Sequence, residues 1–275
     1  MKTLYLTDLD GTLLRPDTSL SGYSKNILNR LIAEGMIFSF ATARSYNTAL
    51  PLLEGVTLTA PMIVHNGVFI VDESRAPVYF NGFRKEESEE IFGLYQSYGI
   101  FPIVYSRIEG HNRMSFLQKE SSKAQTEFAL SRMDDKFDPN RVREIFTRDT
   151  ALDGDVFYFT AIDDENKLLN AYKALKEKHC CFYARDMYSG EWWLEVMPKS
   201  ASKAVAAVQL KKMLGADRLI CFGDAVNDIP MFEISDECYA VENAAEALKR
   251  IASGVIGANK EDGVAHFLAK RFHLE

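Results

Sequence analysis

Disulfide pairs, membrane-spanning runs and an excess of basic residues are all missing from this chain. Among 275 residues there are four cysteines, Cys180, Cys181, Cys221 and Cys238. None has C-x-x-C spacing, and the adjacent pair is poor geometry for an ordinary disulfide, so a reducing cytoplasm fits. No uninterrupted apolar run approaches the length of a bilayer core, and the first residues read as a strand rather than a basic segment followed by an apolar one. Neither insertion nor secretion is expected. Lys and Arg number 32 against 39 Asp and Glu, a net charge of -7. Long-range attraction to nucleic acid or to an anionic membrane is therefore disfavoured, which still leaves room for a local basic pocket. There is no repeat, low-complexity tract or flexible linker. What remains is a chain with 47% apolar residues, long enough to bury one large core or two ordinary ones.

The first eighty residues alternate short apolar strands with amphipathic helices. A strand at 3–7 is followed by a helix capped by Ser21 or Ser24, with Ile27, Leu28, Leu31 and Ile32 at helical spacing and Gly35 at its end. Strand 36–40, a helix near 46–54 and strand 61–65 continue a βαβαβ order, which favours a parallel sheet with right-handed crossovers. Residues 67–80 read as a hairpin. From Gly82 to Gly190 the texture changes to charged helices near 84–97, 121–129, 139–148 and 164–178, between strands near 102–105, 112–117, 155–160, 180–184 and 191–196. After Pro198 the alternation returns, with helices at 201–214, 227–233, 244–252 and 262–270 and strands at 218–222 and 237–241. The expected plan is an α/β parallel-sheet core made of 1–81 and 191–275, interrupted by an α+β insert at 82–190 with Gly82 and Gly190 as hinges.

Chemistry concentrates at strand ends. Asp8 and Asp10 leave the first strand together, and two carboxylates there repel each other unless they share a cation or a proton. One could attack while the other handles a proton. Gly11 permits the turn and a close backbone approach, and Thr12 adds a hydroxyl. A second acidic group, Gly223-Asp224-Ala225-Val226-Asn227-Asp228, follows the apolar strand Leu219–Phe222. Two acidic strand ends on one sheet edge suit a hard cation such as Mg2+, which takes oxygen ligands. Asn227 or Asp228 also suits a helix cap while Asp224 binds metal. Thr42 and Arg44 follow the second strand, where a hydroxyl and backbone donors suit a phosphoryl oxygen. Lys203, at a helix start, is the positive charge that this acidic centre otherwise lacks.

Taken together these segments resemble the haloacid dehalogenase-like phosphatase superfamily, and within it the Cof-type sugar phosphatases. Asp8–Leu13 looks like the DxDGTL nucleophile motif, Thr42 falls at the second-motif Thr/Ser, Lys203 at the lysine, and Gly223–Asp228 matches GDxxND. Asn259–Ala265 is similar to the closing segment, and the likeness runs the full length. Ala43 stands where that subfamily usually has Gly, and Ser200 and Ala204 replace glycines around the lysine. The resemblance implies that Asp8 is the nucleophile and forms an aspartyl-phosphate. Asp10 would protonate the leaving alcohol and then activate water. Mg2+ would lie on Asp8, the Asp10 backbone carbonyl and Asp224. Thr42, Lys203 and Asn227 would bind phosphoryl oxygens, while Asp228 orients Lys203 or a metal-bound water. Arg44 after the second strand, and Asn66 in the Asn-Gly pair after the third, would touch substrate.

The insert, about a hundred residues between Thr42 and Lys203, resembles the subfamily's large α/β cap, a lid that closes over the strand ends. Arg107, His111, Arg113, Arg185 and Trp192 are its candidate leaving-group contacts. Trp192 and Trp193 point to opposite faces of a strand, so at most one of them faces a pocket. The expected substrate is a small phosphate ester, a sugar phosphate or a cofactor phosphate such as pyridoxal phosphate, with no nucleic acid or membrane partner. Two rival readings remain. One is a phosphomutase whose second phosphate site would use Arg107, Arg113 and Arg185. The other is an Asp-phosphorylated binding module, whose family is much shorter and lacks an insert.

Overall fold

A computed structural model describes residues 1–133, 140–186 and 189–274. The chain divides into two compact units, one made of 1–80 and 202–275 and the other of 81–201.

In the first unit β1 (Thr3–Thr7) leads through a wide turn to α1 (Gly22–Ala33), β2 (Ile37–Phe40) and α2 (Tyr46–Ala49). Ser21 is the residue that caps α1, accepting the Ser24 N–H. β3 (Met62–Val64), β4 (Phe69–Val71) and β5 (Pro77–Phe80) complete this segment. The insert contains α3 (Lys85–Ser97), β6 (Ile103–Ile108), β7 (His111–Phe116), α4 (Lys123–Leu130) and β8 (Val142–Glu144). It continues with β9 (Asp155–Asp163), α5 (Glu165–Leu175), β10 (Cys180–Arg185) and β11 (Trp192–Met197). The chain then re-enters the first unit with α6 (Lys203–Met213), β12 (Arg218–Gly223), α7 (Ile229–Glu233) and β13 (Glu237–Val241). α8 (Glu246–Lys249), β14 (Gly254–Ile256) and α9 (Gly263–Arg271) follow.

The five-stranded sheet runs β14-β13-β12-β1-β2, and every pairing in it is parallel. Leu4 and Leu6 on β1 and Ile220 and Phe222 on β12 are fully buried, as expected for strands covered on both faces. β3 departs from the expected parallel βαβαβ unit. It meets the second strand's end through one parallel bridge, Ala41 to Ile63, and otherwise pairs antiparallel with β4 in a three-stranded sheet. The β4–β5 turn is built on Asp72, whose Oδ1 accepts the Ser74 and Ala76 N–H groups and the Ser74 hydroxyl. This is the local bonding by which Asp fixes turns.

In the insert a six-stranded sheet runs β10-β11-β9-β6-β7-β8. α3 and α5 bury Ile91, Tyr95, Leu168 and Leu175 against Val104, Phe159, Leu194 and Val196. Two expectations need correction here. The helix expected near 139–148, whose first residue lies outside the described residues, is β8 followed by a short turn at 148–150. The open edge of β7 takes this backbone: Met114 N–H donates to Arg141 C=O, and Ile145 N–H to Phe116 C=O. The return crossing also lies later than Gly190, between Ala201 and Ser202. β11 pairs with both β10 and β9, so it belongs to the insert's sheet, and Gly190 sits inside the β10–β11 connection. Near the chain's end, the helix expected over 244–252 covers only Glu246–Lys249, and β14 follows where no strand was expected.

Candidate active site

Parallel strands that share a sheet end their chains at the same edge, where ligands bind in open α/β folds. β1 and β12 are adjacent, with Thr7 opposite Phe222, so Asp8 and Asp224 leave the sheet side by side. β2 flanks β1 on the other side and delivers Thr42 to the same edge. After Asp8 the backbone turns at Asp10 (φ -68°, ψ 129°) and Gly11 (φ 75°, ψ -11°), and Leu14 N–H closes the loop onto Leu9 C=O. These are type II turn angles, and the second position needs positive φ. Gly11 has a second reason to lack a side chain, because a Cβ there would lie 2.3 Å from Asp224 Oδ2.

Lys203 is the centre of the charge pattern. Its Nζ lies 2.9 Å from Asp8 Oδ1 and 2.7 Å from Asp228 Oδ1, and its side chain is only 2% exposed. Asp8 Oδ1 also accepts the Leu9 N–H at 2.8 Å. Asp228, fully buried, uses Oδ2 to accept the Asp224 and Ala225 N–H groups. Asp224 Oδ1 accepts the Thr12 hydroxyl at 2.8 Å. Carboxylate oxygens of Asp8, Asp224 and Asp228 fall within 4.8 Å of one another.

Three carboxylates and one ammonium leave an excess of negative charge in a buried place. Burial pushes Asp8 up to about 7, with the Asp228 and Asp224 charges adding to the rise and Lys203 opposing it. Burial likewise raises Asp224 to about 6, against the Thr12 hydrogen bond. For Lys203 burial disfavours the charge, but Asp8 and Asp228 more than offset it and hold the ammonium protonated. An all-oxygen donor set with surplus negative charge fits a hard divalent cation. In the same turn as Asp228, Asn227 Oδ1 is buried without a hydrogen-bond partner among the described residues, a further oxygen in need of a donor or a cation.

Thr42 is buried, and its Oγ1 accepts the Arg44 N–H while its C=O accepts the Asn66 N–H. The 65–67 turn packs tightly on the start of α6, since a Cβ at Gly67 (φ +98°) would lie 2.2 Å from Ser202 C=O. Asn66 is buried there, its Oδ1 without a partner among the described residues. Arg44, an expected substrate contact, grips Asp10 with two bonds of 2.7 and 2.6 Å. The Asp10 carboxylate is thereby not one of the three in the acidic cluster, and Asp228, expected further out, is.

The insert's candidates do not converge. Arg107, His111 and Arg113 lie on β6 and β7, while Arg185 and Trp192 lie on β10 and β11 at the other side of the sheet. Arg113 donates to Asn140 C=O and Arg185 to Gly190 C=O. Trp192 stacks on Tyr183 at 4.8 Å, beside the helix-covered core. Trp193 takes the opposite face, edge-on to Phe128 at 4.9 Å.

Sequence reading missed the residues that hold the acidic loops. Asn243 Nδ2 donates to Gly11 C=O and its Oδ1 accepts Asn259 N–H, while Asn259 Nδ2 donates to Leu14 C=O. Ala245 N–H donates to Asp224 C=O at 2.7 Å. Asp262, left-handed at φ 56°, pairs with Arg15. The only signal was the family-like segment 259–265, and nothing local marked Asn243.

The sequence pattern of the haloacid dehalogenase-like hydrolase family matches residues 5–268. The chain is similar to 5-amino-6-(5-phospho-D-ribitylamino)uracil phosphatase YitU of Bacillus subtilis, 25% identical over 98% of each chain. It is also similar to the HMP-PP phosphatase of Serratia proteamaculans, 27% identical over 98% of this chain and 94% of that one. Among solved structures, a haloacid dehalogenase-like hydrolase from B. subtilis superposes with a TM-score of 0.76 at 22% identity, covering 98% of this chain and 99% of its own.

Proposed function

The chain belongs to the haloacid dehalogenase-like hydrolases and is a phosphatase, and we propose that it hydrolyses small-molecule phosphate monoesters through a phosphoryl group carried on Asp8, with Mg2+ as cofactor. The observation that carries this reading is the environment of Asp8. Lys203 and the Leu9 N–H both meet its Oδ1, and no hydrogen bond to Oδ2 is found among the described residues. One oxygen is oriented and the other is left to attack phosphorus.

Asp8 and Asp224 would hold the cation, which when bound would offset repulsion between the acidic cluster and a phosphate dianion. Lys203, fixed by Asp228, would meet a phosphoryl oxygen, as would the Thr42 hydroxyl. Asp10 would give a proton to the leaving alcohol and take one from the attacking water. The insert would act as the cap that selects the leaving group. Arg107, Arg113 and Arg185 do not form one cationic cluster, which argues against a phosphomutase. Sugar phosphates are the first substrates to test, and the named activities of the relatives add pyrimidine-containing phosphates.

A phosphate-release screen with and without Mg2+ tests the proposal, covering hexose, pentose, erythrose, nucleotide, flavin, pyridoxal and pyrimidine phosphates. Magnesium-dependent release from several small esters is expected. Conversion of a hexose 1-phosphate to its 6-phosphate isomer would instead establish a mutase, and release only from a phosphoprotein would remove the small-ester assignment.

A further inference from the structure

Arg44, a candidate substrate contact from the sequence, turns its guanidinium to Asp10 in the structure. Its Nε donates to Asp10 Oδ2 at 2.7 Å and its Nη2 to Asp10 Oδ1 at 2.6 Å, so both carboxylate oxygens are held. Two parallel bonds fix the plane of a carboxylate, which a lysine ammonium cannot do. The backbone beneath is tied on both sides: Arg44 N–H donates to Thr42 Oγ1 at 3.1 Å, and Arg44 C=O accepts the His65 N–H at 2.9 Å. The pair itself is partly exposed, 30% for the Arg44 side chain and 45% for Asp10. Ion pairs this exposed add little to stability. What the geometry does supply is a fixed direction for Asp10, which stands on a turn whose next residue is glycine.

We propose that Arg44 is a positioning residue for Asp10, setting the plane and direction of the acid–base carboxyl group and making no contact with the leaving group. This rests on the reading of Asp10 as the proton donor and acceptor. In the first half-reaction an Asp8 oxygen bonds to phosphorus while the ester P–O bond breaks. The electron pair leaves on the ester oxygen, which takes the proton carried by Asp10. A protonated carboxyl keeps one acceptor oxygen, so Arg44 retains one of its two bonds while the proton-bearing oxygen turns to the ester.

Leaving-group dependence separates this role from substrate binding. 4-Nitrophenolate departs without a proton, whereas an alkoxide needs one, so kcat/KM would be measured on 4-nitrophenyl phosphate and on an alkyl phosphate for wild type, D10N, R44Q and R44K. D10N and R44Q are expected to lose about tenfold or more on the alkyl ester and less than about threefold on the aryl ester. R44K is expected to behave like R44Q, because charge alone does not restore the two-point grip. Thermal midpoints would show that all three variants fold. Equal losses for R44Q on both esters, no loss on either, or full rescue by R44K would overturn the proposal. If D10N discriminates and R44Q does not, only the role of Arg44 falls; if D10N loses equally on both, the reading of Asp10 fails and this inference with it.

Discussion

Asp8 sits where burial and two neighbouring carboxylates resist its charge, so its ionisation is bound up with whatever cation enters. Asp8→Asn keeps the shape but removes the proposed nucleophile, and phosphate release is expected to fall by more than about three decades with the thermal midpoint preserved. Near-wild-type turnover would exclude Asp8 as nucleophile. The raised positions of Asp8, about 7, and Asp224, about 6, against an ordinary 3.8, also fix the sign of a pH effect. Through these two carboxyl groups the folded state holds more protons than the unfolded one in this window, so their contribution to metal-free stability falls as pH rises from about 4 to about 7. Mg2+ held as proposed would compete for the same oxygens, and its apparent affinity should rise over the same range. Thermal melts in chelator and in excess Mg2+, at pH 5 and at pH 7, would check this. A metal-free midpoint that is higher at pH 7 than at pH 5 would contradict it.

At the level of elements, the site depends on turns that touch. Gly67→Ala would push a methyl group into Ser202 C=O, which the structure places 2.2 Å from the added carbon, at a residue whose φ of +98° already disfavours a side chain. Ser202 Oγ caps α6 by accepting the Val205 N–H, and Lys203 begins that helix. The variant is expected to lose about 1–3 kcal/mol of stability and to lose activity more steeply than its melting point suggests. Asn243→Ala should act on activity alone, lowering kcat by about tenfold or more through a loosened Gly11 loop while its midpoint hardly moves. Assays run well below each variant's midpoint distinguish the two patterns. Much of this level was legible in the sequence. β1, β2 and β12 are apolar runs that end in acids, hydroxyls and glycine, and the edge where they meet follows from parallel topology. β8 and β14 were not legible, because strands of three residues carry too little periodicity and exist by pairing with an edge that only the folded sheet provides. Asn243 was invisible for a related reason: its partners lie at Gly11 and Asn259, and a side chain that bonds distant carbonyls leaves no local pattern.

For the whole molecule, each unit has its own sheet and its own buried core. Calorimetry is expected to show two unfolding transitions rather than one. Leu194, fully buried in the insert, reports on this: Leu194→Ala should cost that unit about 2–5 kcal/mol and lower one transition alone. A single transition moving as a whole would mean that the units unfold together. The insert's limits were harder to read than its existence, since β11 looks like any other strand until its partners are known. With the excess of acidic residues, no added polyanion is expected to compete with small phosphate esters.

β1 is an interior strand of the parallel sheet, yet one of its two neighbours, β12, begins 215 residues later, Thr3 pairing with Arg218. On a ribosome this matters in time. Leu4, Tyr5 and Leu6 leave the exit tunnel with one flank unpaired and wait while the whole insert is made and folds from contiguous chain. Bringing such distant strands together is slow, because the closing loop loses entropy before any contact rewards it. The nascent protein therefore carries a sticky, half-finished sheet for most of its synthesis. Destabilising substitutions in β12 should reveal themselves first as lost soluble yield, and chaperone supply during translation should rescue them more than any change made to the finished enzyme.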